Sequence, residues 1–445
     1  MSLQAAGAPA QDPSAASAVS DASQRLAARD LTLDLARVAC VLLVVVIHLL
    51  FVGVGRGADG ALRIERTVEA QPWFATATWV GNIMPLFFVV GGFAAMAGWQ
   101  SLERRGGGGV AGANAFVRTR VARLARPALP LFIFLAVALL GAAVLGVDPA
   151  LVDTVAIGIG SPLWFLAAYV LAQSLAPVMI RLHRRAPIAT IAALAAGAAA
   201  VDALRVLSGN ELLGLPNVVL IWVGVQQLGF WMHDGWFKAR APWTLGLLIV
   251  AGFAALLALV PFAGYSWSML SNQYPPTVPM LVLGLAQAAA LTLLHRPLSA
   301  LMRTRAARGI VWFAGSRLMT IYLWHLPVIM VLVGVQLLLP VPLPEPASGA
   351  WWVSRIPMLL AVLAVVWLLS LPLVRYERGP AQQTDAVHPG TAATVAAVLL
   401  FTVGPFLTMV LGLDLLLAAT SVVGTAAALW LMRGRVAGPK DARVH

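Results

Sequence analysis

The amino-acid sequence predicts an all-α, polytopic membrane helical bundle, and two features of its composition support that prediction. The chain is 60% hydrophobic and only 11% charged, whereas a soluble globular domain is about 25% charged. The apolar residues fall in runs of about twenty, which is the length of helix that crosses a bilayer core of ~30 Å. We find no strand pattern and no internal sequence repeat beside these runs.

Twelve apolar runs account for the predicted spans, and polar or Pro-rich segments separate them. The runs lie near residues 32–54, 76–99, 127–147, 161–180, 187–207, 215–233, 243–262, 277–295, 311–339, 351–374, 391–411 and 414–432. We predict that the first ten form one membrane domain, residues 31–378. The last two predict an additional two-span hairpin, residues 391–432.

The segments outside these runs predict two tails and a linker. Residues 1–30 contain mostly small and polar side chains and lack the basic start and apolar core of a signal peptide. They therefore predict a disordered cytoplasmic tail. Residues 379–390 predict a cytoplasmic linker, and residues 433–445 predict a basic cytoplasmic tail.

The distribution of Lys and Arg predicts how the chain crosses the membrane, because cytoplasmic loops carry an excess of both. With the N-terminus inside, 23 of the 30 Lys and Arg residues lie in inner loops or tails, and five lie in outer loops. An even number of spans then places both termini in the cytoplasm. Nearly all these residues are Arg in an Ala-rich chain, which suggests a GC-rich bacterial genome and hence the bacterial inner membrane.

The net charge of +12 does not require a nucleic-acid partner. The basic residues lie in short loops between apolar runs, so we interpret them as topology signals and predict the lipid bilayer as the partner. The single cysteine, Cys40, rules out an intramolecular disulfide and a thiolate-ligated metal site. No spacing of His, Asp or Glu predicts a metal.

Two histidines inside predicted spans are the strongest functional signal. His48 follows Arg37 in the first run, and His325 follows Arg317 in the ninth. Ionisable side chains in hydrocarbon cost roughly 2.5 to 3.5 kcal/mol each, so they are rare there and usually functional. At about 1.5 Å per residue, we expect both histidines near mid-membrane and both arginines nearer the cytoplasm. The alternative is that each histidine is a hydrogen-bonding contact between helices.

Five motifs, in this order, resemble the acyltransferase-3 family of integral membrane proteins. They are residues 33–37 with His48 following, 85–93, 120–123, 163–166 and 321–327. Gly91 stands where that family commonly has Ser, and a Glu that often follows its Trp motif is absent here. The resemblance covers about residues 31–375 and leaves the last two predicted spans as an addition.

The resemblance implies an enzyme that moves an acyl group from cytoplasmic acyl-CoA, here acetyl-CoA by expectation, to a hydroxyl of a glycan, a glycolipid or another acceptor. O-acetylation in polysaccharide modification is the expected chemistry, with no metal cofactor. The predicted catalytic residues are His48, Arg37, His325 and Tyr322, and the predicted donor-binding residues are Arg120, Arg123, Trp164, Arg317, Gly91 and Gly92.

Imidazole suits either of two roles in such a transfer. It can remove the hydroxyl proton as a general base, which we favour for His48, or it can carry the acyl group as a transient acyl-imidazole. Arginine suits the phosphates of the donor because its planar fork pairs with two oxygens at once. Structural alternatives remain open for other residues: topology anchors for Arg120 and Arg123, helix packing for the glycines, and apolar packing for Trp164 and Tyr322.

Two other functions remain open from the sequence. Histidines and arginines at mid-membrane are also typical of a proton-coupled transporter, although we see no two related halves of the kind that transporters show. The third possibility is an inactive relative that serves as a membrane scaffold.

Overall fold

The computed structural model describes residues 30–56, 62–339, 343–378, 386–387, 389–433 and 435–436. Its helices, in chain order, are α1 (Leu31–Phe51), α2 (Phe74–Gly81), α3 (Met84–Arg104), α4 (Gly109–Val144), α5 (Pro149–Gly160), α6 (Leu163–Arg185), α7 (Pro187–Ser208), α8 (Asn217–His233), α9 (Pro242–Ala263), α10 (Val278–Leu293), α11 (His295–Leu301), α12 (Arg305–Gly315), α13 (Leu318–Leu338), α14 (Gly349–Arg378), α15 (Thr391–Leu411) and α16 (Leu415–Leu431). A short 3₁₀ turn, Glu211–Gly214, precedes α8. Strand β1 (Val52–Arg56) pairs antiparallel with β2 (Leu62–Arg66), and β3 (Ala386–Val387) pairs antiparallel with β4 (Arg435–Val436).

Three predicted segments fall largely outside this description. They are the N-terminal tail before Asp30, most of the linker at 379–390, and most of the C-terminal tail at 433–445.

The helices confirm the predicted polytopic all-α architecture. Within the described ranges, ten helical segments are long and apolar enough to cross a membrane, and α10 with α11 makes an eleventh across a 57° bend. The shorter apolar helix α16 has 17 residues. Each of the twelve predicted spans therefore coincides with a helix or a pair of helices.

Helix α4 begins well before the third predicted span. We placed it at residue 127, but α4 begins at Gly109, and Pro127 and Pro130 lie inside the helix. Neighbouring helices in a membrane protein can satisfy the backbone groups that an internal proline frees. With 36 residues, α4 is about 54 Å long at 1.5 Å per residue, so it extends beyond the ~30 Å hydrocarbon core.

The ninth predicted span is not continuous. Helix α12 ends at Gly315 and α13 begins at Leu318, so Arg317 occupies the N-cap position of α13 instead of the helix interior. The prediction that Arg317 lies within one unbroken span is therefore wrong. The break follows the pair Gly315 and Ser316, and Gly/Ser pairs are a recognised cause of helix interruption.

A β-hairpin directly after α1 corrects the prediction that the chain has no strands. We assigned residues 52–54 to the first span, but they form the start of β1, and β2 returns antiparallel to it. A Cβ on Gly53 would lie 1.7 Å from Oγ1 of Thr67, so only glycine allows this close approach. We call the end of the bundle that carries β1 and β2 the hairpin end.

The opposite end, where α1 begins, is the basic end. Asp30 caps α1 there by accepting a hydrogen bond from the backbone N–H of Thr32 at 3.0 Å, and its carboxylate lies 3.0 Å from Nε2 of His295 at the start of α11. Partial burial raises the pKa of Asp30, but the hydrogen bonds from Thr32 and His295 outweigh it and leave this pKa lowered. The contact fixes the start of α1 against α11.

Helices α3 and α8 cross closely through two glycines. A Cβ on Gly92 would lie 2.1 Å from the carbonyl oxygen of Gln226, and one on Gly229 would lie 2.0 Å from that of Val89. Small residues permit this backbone approach between membrane helices. This crossing holds α3 in the middle of the bundle, beside α1.

The terminal hairpin of α15 and α16 packs directly on the core. Both helices contact α4, and α15 also contacts α6. Gly424 brings α16 against the backbone of Leu400, and Gly404 brings α15 against Ser421. The turn between the two helices therefore lies at the hairpin end, next to the start of α6.

Candidate active site

His48 and His325 are in direct contact, although 277 positions separate them in the sequence. Nε2 of His325 lies 3.2 Å from Nδ1 of His48, and the two ring centroids are 5.0 Å apart. His48 lies in the last turn of α1, toward the hairpin end. Helix α13 begins at Leu318, so His325 lies in its first half and contacts His48 from there.

The hydrogen-bonding partners determine which nitrogen of each neutral ring carries the proton. Nδ1 of His325 lies 2.6 Å from the carbonyl oxygen of Tyr322, which can only accept, so this nitrogen donates. Nε2 of His325 then carries a lone pair. Nδ1 of His48 faces that lone pair and, at 2.9 Å, the carbonyl oxygen of Val44, so it must be the donor. Nε2 of neutral His48 is therefore unprotonated and able to accept a proton.

A cavity of about 720 Å³ lies beside His48 at the hairpin end. This volume is within the range of about 300–1,000 Å³ that is typical of small-molecule sites. Its wall is formed by the second half of α1, the segment after β2, the starts of α3 and α6, Tyr322, and two more distant segments, 270–274 and 408–413. His48 is half-buried and contributes to this wall, so a ligand in the cavity can reach its ring.

Tyr322 and Trp164 also line the cavity. The hydroxyl of Tyr322 donates to the carbonyl oxygen of Pro162, just before α6, while its own carbonyl orients His325. Tyr322 therefore connects α13 to the start of α6 and positions the second imidazole. Trp164 stacks on Trp222 of α8, with ring centroids 5.4 Å apart.

The cavity has charged groups that the sequence did not identify. Arg66 and Glu69, both in the wall, form an ion pair at 2.7 Å, and the guanidinium of Arg66 lies 4.6 Å from the ring centroid of Phe51. Arg66 ends β2 and Glu69 follows it, so the β-hairpin positions both residues. The sequence analysis did not predict this hairpin. Asn82, also in the wall, donates to the carbonyl oxygen of Met269 at 2.9 Å and so joins α2 to the loop before α10.

Three of the predicted arginines lie together, but away from this cavity. Arg120 interacts electrostatically with both Arg37 and Arg123, and none of the three lines the cavity wall. The guanidinium of Arg120 donates to the carbonyl oxygen of Ala94 at 2.8 Å and lies 4.9 Å from the ring centroid of Phe116. We call Arg37, Arg120 and Arg123 the arginine cluster.

Two aromatic rings lie between the cavity and the arginine cluster. Phe165 lines the cavity and stacks on Tyr169, one helical turn later, with ring centroids 5.3 Å apart. The phenol of Tyr169 interacts electrostatically with Arg120. A Cβ on Gly91 would lie 2.9 Å from the Tyr169 ring. Gly91 thus makes room for an aromatic side chain, and Gly92 makes room for the backbone of α8.

Arg317 does not line the cavity beside His48. It lines a second cavity of about 490 Å³ between α12 and α14, and its guanidinium lies 5.3 Å from the ring centroid of Phe313. It interacts electrostatically with Glu377, which accepts a hydrogen bond from the backbone N–H of Thr320 at 2.8 Å. The structure therefore places Arg317 with Glu377 at the start of α13.

The described residues contain no group of three or more His, Cys, Asp or Glu side chains that could hold a metal ion. The side chains at the cavity offer an imidazole with one unprotonated nitrogen and a second imidazole behind it, beside a space large enough for a small ligand.

Comparison with known proteins identifies the family. Residues 30–371 match an acyltransferase domain, a range that contains His48, His325 and the arginine cluster and ends before α15. No curated protein and no solved structure is detectably similar to the chain. The matched range covers most of the sequence and agrees with the motifs around His48 and His325, so the chain belongs to the acyltransferase-3 family and is a membrane acyltransferase.

Proposed function

We propose that this protein is an O-acyltransferase that moves an acetyl or similar acyl group from acyl-CoA to a hydroxyl of a glycan, glycolipid or other acceptor. The observation that carries the proposal is the orientation of His48. Its Nδ1 is held by Val44 and His325, and its ring faces a cavity of ligand size. A fixed imidazole with a free nitrogen beside an acceptor site is the arrangement that general-base catalysis requires.

The proposed reaction proceeds in two proton transfers. Nε2 of His48 takes the proton of the acceptor hydroxyl while the oxygen attacks the thioester carbonyl. The tetrahedral intermediate expels the CoA thiolate, which takes the proton back from the imidazolium. His325 supports the charged intermediate because its Nε2 lone pair accepts from Nδ1 of His48. An acyl-imidazole on the same Nε2 is the second mechanism, and it would add about 42 Da to His48 for an acetyl group.

The arginine cluster is the proposed site for the phosphates of the donor. Phosphate binding favours arginine because its fork pairs with two oxygens. The cluster is on the basic-end side of the Phe165–Tyr169 stack, whereas His48 lies on the hairpin-end side. The acyl-pantetheine arm must therefore pass this aromatic pair to bring the thioester to His48.

The excess of Arg and Lys at the basic end supports an orientation with that end in the cytoplasm, where acyl-CoA is made. We propose the bacterial inner membrane as the location and the hairpin end as the side from which the acceptor enters. Family membership favours acyl transfer over proton-coupled transport, because acyl transfer is the activity of the matched domain.

The test is acyl transfer by the full-length protein in liposomes, with His48→Ala as the variant. Release of CoA from acetyl-CoA and incorporation of the acetyl group into added glycosides are measured together. Loss of a general base lowers the rate about 10²- to 10⁴-fold. His233→Ala is the control, because His233 lies at the last turn of α8, outside the cavity. Transfer by His48→Ala at the wild-type rate would overturn the proposal.

A further inference from the structure

The terminal hairpin contributes to the same cavity as His48. Residues 408–413, at the turn between α15 and α16, form one of its walls. The acyltransferase domain match ends at residue 371, so this wall comes from a part of the chain outside the matched domain. The matched domain alone therefore leaves one side of the cavity without a covering segment.

Two contacts hold this turn against the core. The hydroxyl of Tyr274 donates to the carbonyl oxygen of Met409 at 2.7 Å. A Cβ on Gly160, at the end of α5, would lie 2.8 Å from Leu413 and 3.1 Å from Cγ2 of Thr408. The turn thus packs against glycine on one side and is hydrogen-bonded to the loop before α10 on the other.

Thr408 has a hydroxyl without a hydrogen-bonding partner. Its side chain is 3% exposed, and Oγ1 has no partner among the described residues. Elsewhere in the same hairpin, Thr394, Thr402 and Ser421 donate to the carbonyl four residues earlier, whereas Thr425 also lacks a partner in the described part of the chain but does not line the cavity. Thr408 does not donate in this way, although it lines the cavity. A buried hydroxyl without a partner is destabilising unless a ligand or water satisfies it.

We propose that the terminal hairpin completes the acceptor site and that Oγ1 of Thr408 hydrogen-bonds a hydroxyl of the acceptor. This inference rests on the proposed function, since it places the acceptor in the cavity beside His48. The acceptor is an amphiphilic hydroxyl compound such as a lipid-linked sugar, because aromatic and aliphatic side chains make up most of the wall and polar groups such as Asn82, Gln273 and Thr408 lie among them. Thr408 then acts on acceptor specificity without taking part in the chemistry.

The first experiment compares Thr408→Val with Thr402→Val in acetyl transfer to octyl glucoside. Both substitutions remove one hydroxyl from α15 at a buried position, but Thr402 is already bonded to Val398 and lies outside the cavity wall. We expect Thr408→Val to raise the KM for octyl glucoside about three- to tenfold with little change in the KM for acetyl-CoA. An unchanged KM for octyl glucoside, or an equal rise in both variants, would overturn the inference.

A second experiment needs no acyl transfer, so it separates this inference from the proposed function. Val410→Cys, in a Cys40→Ala background, places one thiol in the cavity wall. We expect octyl glucoside below its micellar concentration to slow methanethiosulfonate labelling, and Thr408→Val to raise the required concentration about three- to tenfold. If octyl glucoside has no effect on labelling, or acts equally with and without Thr408→Val, the cavity is not this acceptor site. Slowed labelling without any acetyl transfer would retain the site and remove the proposed reaction.

Discussion

The histidine pair and the buried Asp202 are two polar sites at the hairpin-end half of the bundle, and their hydrogen bonding differs. Asp202, on α7, is 2% exposed. Its carboxylate accepts from Nδ2 of Asn217 at 2.8 Å, from the hydroxyl of Tyr265 at 2.8 Å and from the backbone N–H of Val278 at 2.9 Å. Burial and the hydrogen bond to Asp202 raise the pKa of Tyr265, so this phenol stays a donor.

His48 has the opposite arrangement. Its Nδ1 contacts Val44 and His325, and His48 itself lines the cavity. The comparison teaches that a buried ionisable group in a membrane protein is not by itself a sign of catalysis. A carboxylate with three donors is structural, whereas a neutral imidazole that lines a cavity of ligand size can react.

The largest expected effect tests the structural side of this comparison. Asp202→Ala leaves the donor groups of Asn217, Tyr265 and Val278 without their acceptor, and each buried unpaired group costs about 1 kcal/mol or more. We expect a loss of about 3 kcal/mol in stability, measured by thermal unfolding, with the activity per folded molecule retained. Asp153→Ala, at an exposed position on α5, is the control. An unchanged unfolding temperature for Asp202→Ala would show that the network is not structural.

The second prediction tests the catalytic side. His325→Ala removes the lone pair that faces Nδ1 of His48, so we expect kcat to fall about 10²-fold, as on removal of one preorganised polar partner. His325→Gln offers an amide oxygen as an acceptor and should recover part of that loss. Rates at saturating donor and acceptor measure both. Equal losses in the two variants would contradict a positioning role for this nitrogen and favour simple packing.

The sequence predicted the helices and the histidine pair for reasons that are local. A run of about twenty apolar residues marks a span, and an ionisable residue inside one marks a site. It did not predict Arg66, because the β-hairpin places that side chain at the cavity. The sequence analysis missed this hairpin because the start of β1 continues the first apolar run. It placed Arg317 wrongly, because the break after Gly315 and Ser316 changes which residues share a helix face.

Other parts of the site depend on contacts between distant segments, and no local pattern contains them. Thr408 meets the cavity because α15 packs on α4 and α6, and Asp202 is structural because Tyr265 and Val278 come to it from later in the chain. Thr408 looks ordinary in the sequence, and Asp202, an ionisable residue inside the predicted span 187–207, looks like a functional residue instead. Only the packing shows that one hydroxyl lacks a partner while one carboxylate has three.

Arg120 combines features of the two sites, since its Nη2 donates to Ala94 while its other N–H groups are the ones that we propose bind the phosphates of the donor. A Cβ on Gly98 would lie 2.5 Å from Nη2 of Arg120. Gly98→Ala should therefore displace this guanidinium without removing its charge, and we expect the KM for acetyl-CoA to rise about three- to tenfold with kcat unchanged. Gly141→Ala, where a Cβ meets nothing within 4 Å, is the control. A change in kcat alone would place Arg120 outside donor binding.

The smallest expected effect concerns Asp30, which resembles Asp202 in accepting several hydrogen bonds but lies at the exposed basic end. Removal of a helix cap costs about 1 kcal/mol, and because the carboxylate is 37% exposed, the ion pair with His295 adds little to that. Asp30→Asn keeps an acceptor for the N–H of Thr32 and loses only the charge.

The pKa of Asp30 is lowered in the folded protein, so its charge stabilises the fold above the ordinary carboxyl pKa, near 3.9. This stabilisation is lost as the pH falls through the folded-state value. The difference in unfolding temperature between wild type and Asp30→Asn should therefore shrink on acidification, while that between Asp30→Asn and Asp30→Ala should persist. A wild-type advantage over Asp30→Asn that grows as the pH falls below about 4 would mean that the folded protein does not favour the carboxylate at the start of α1.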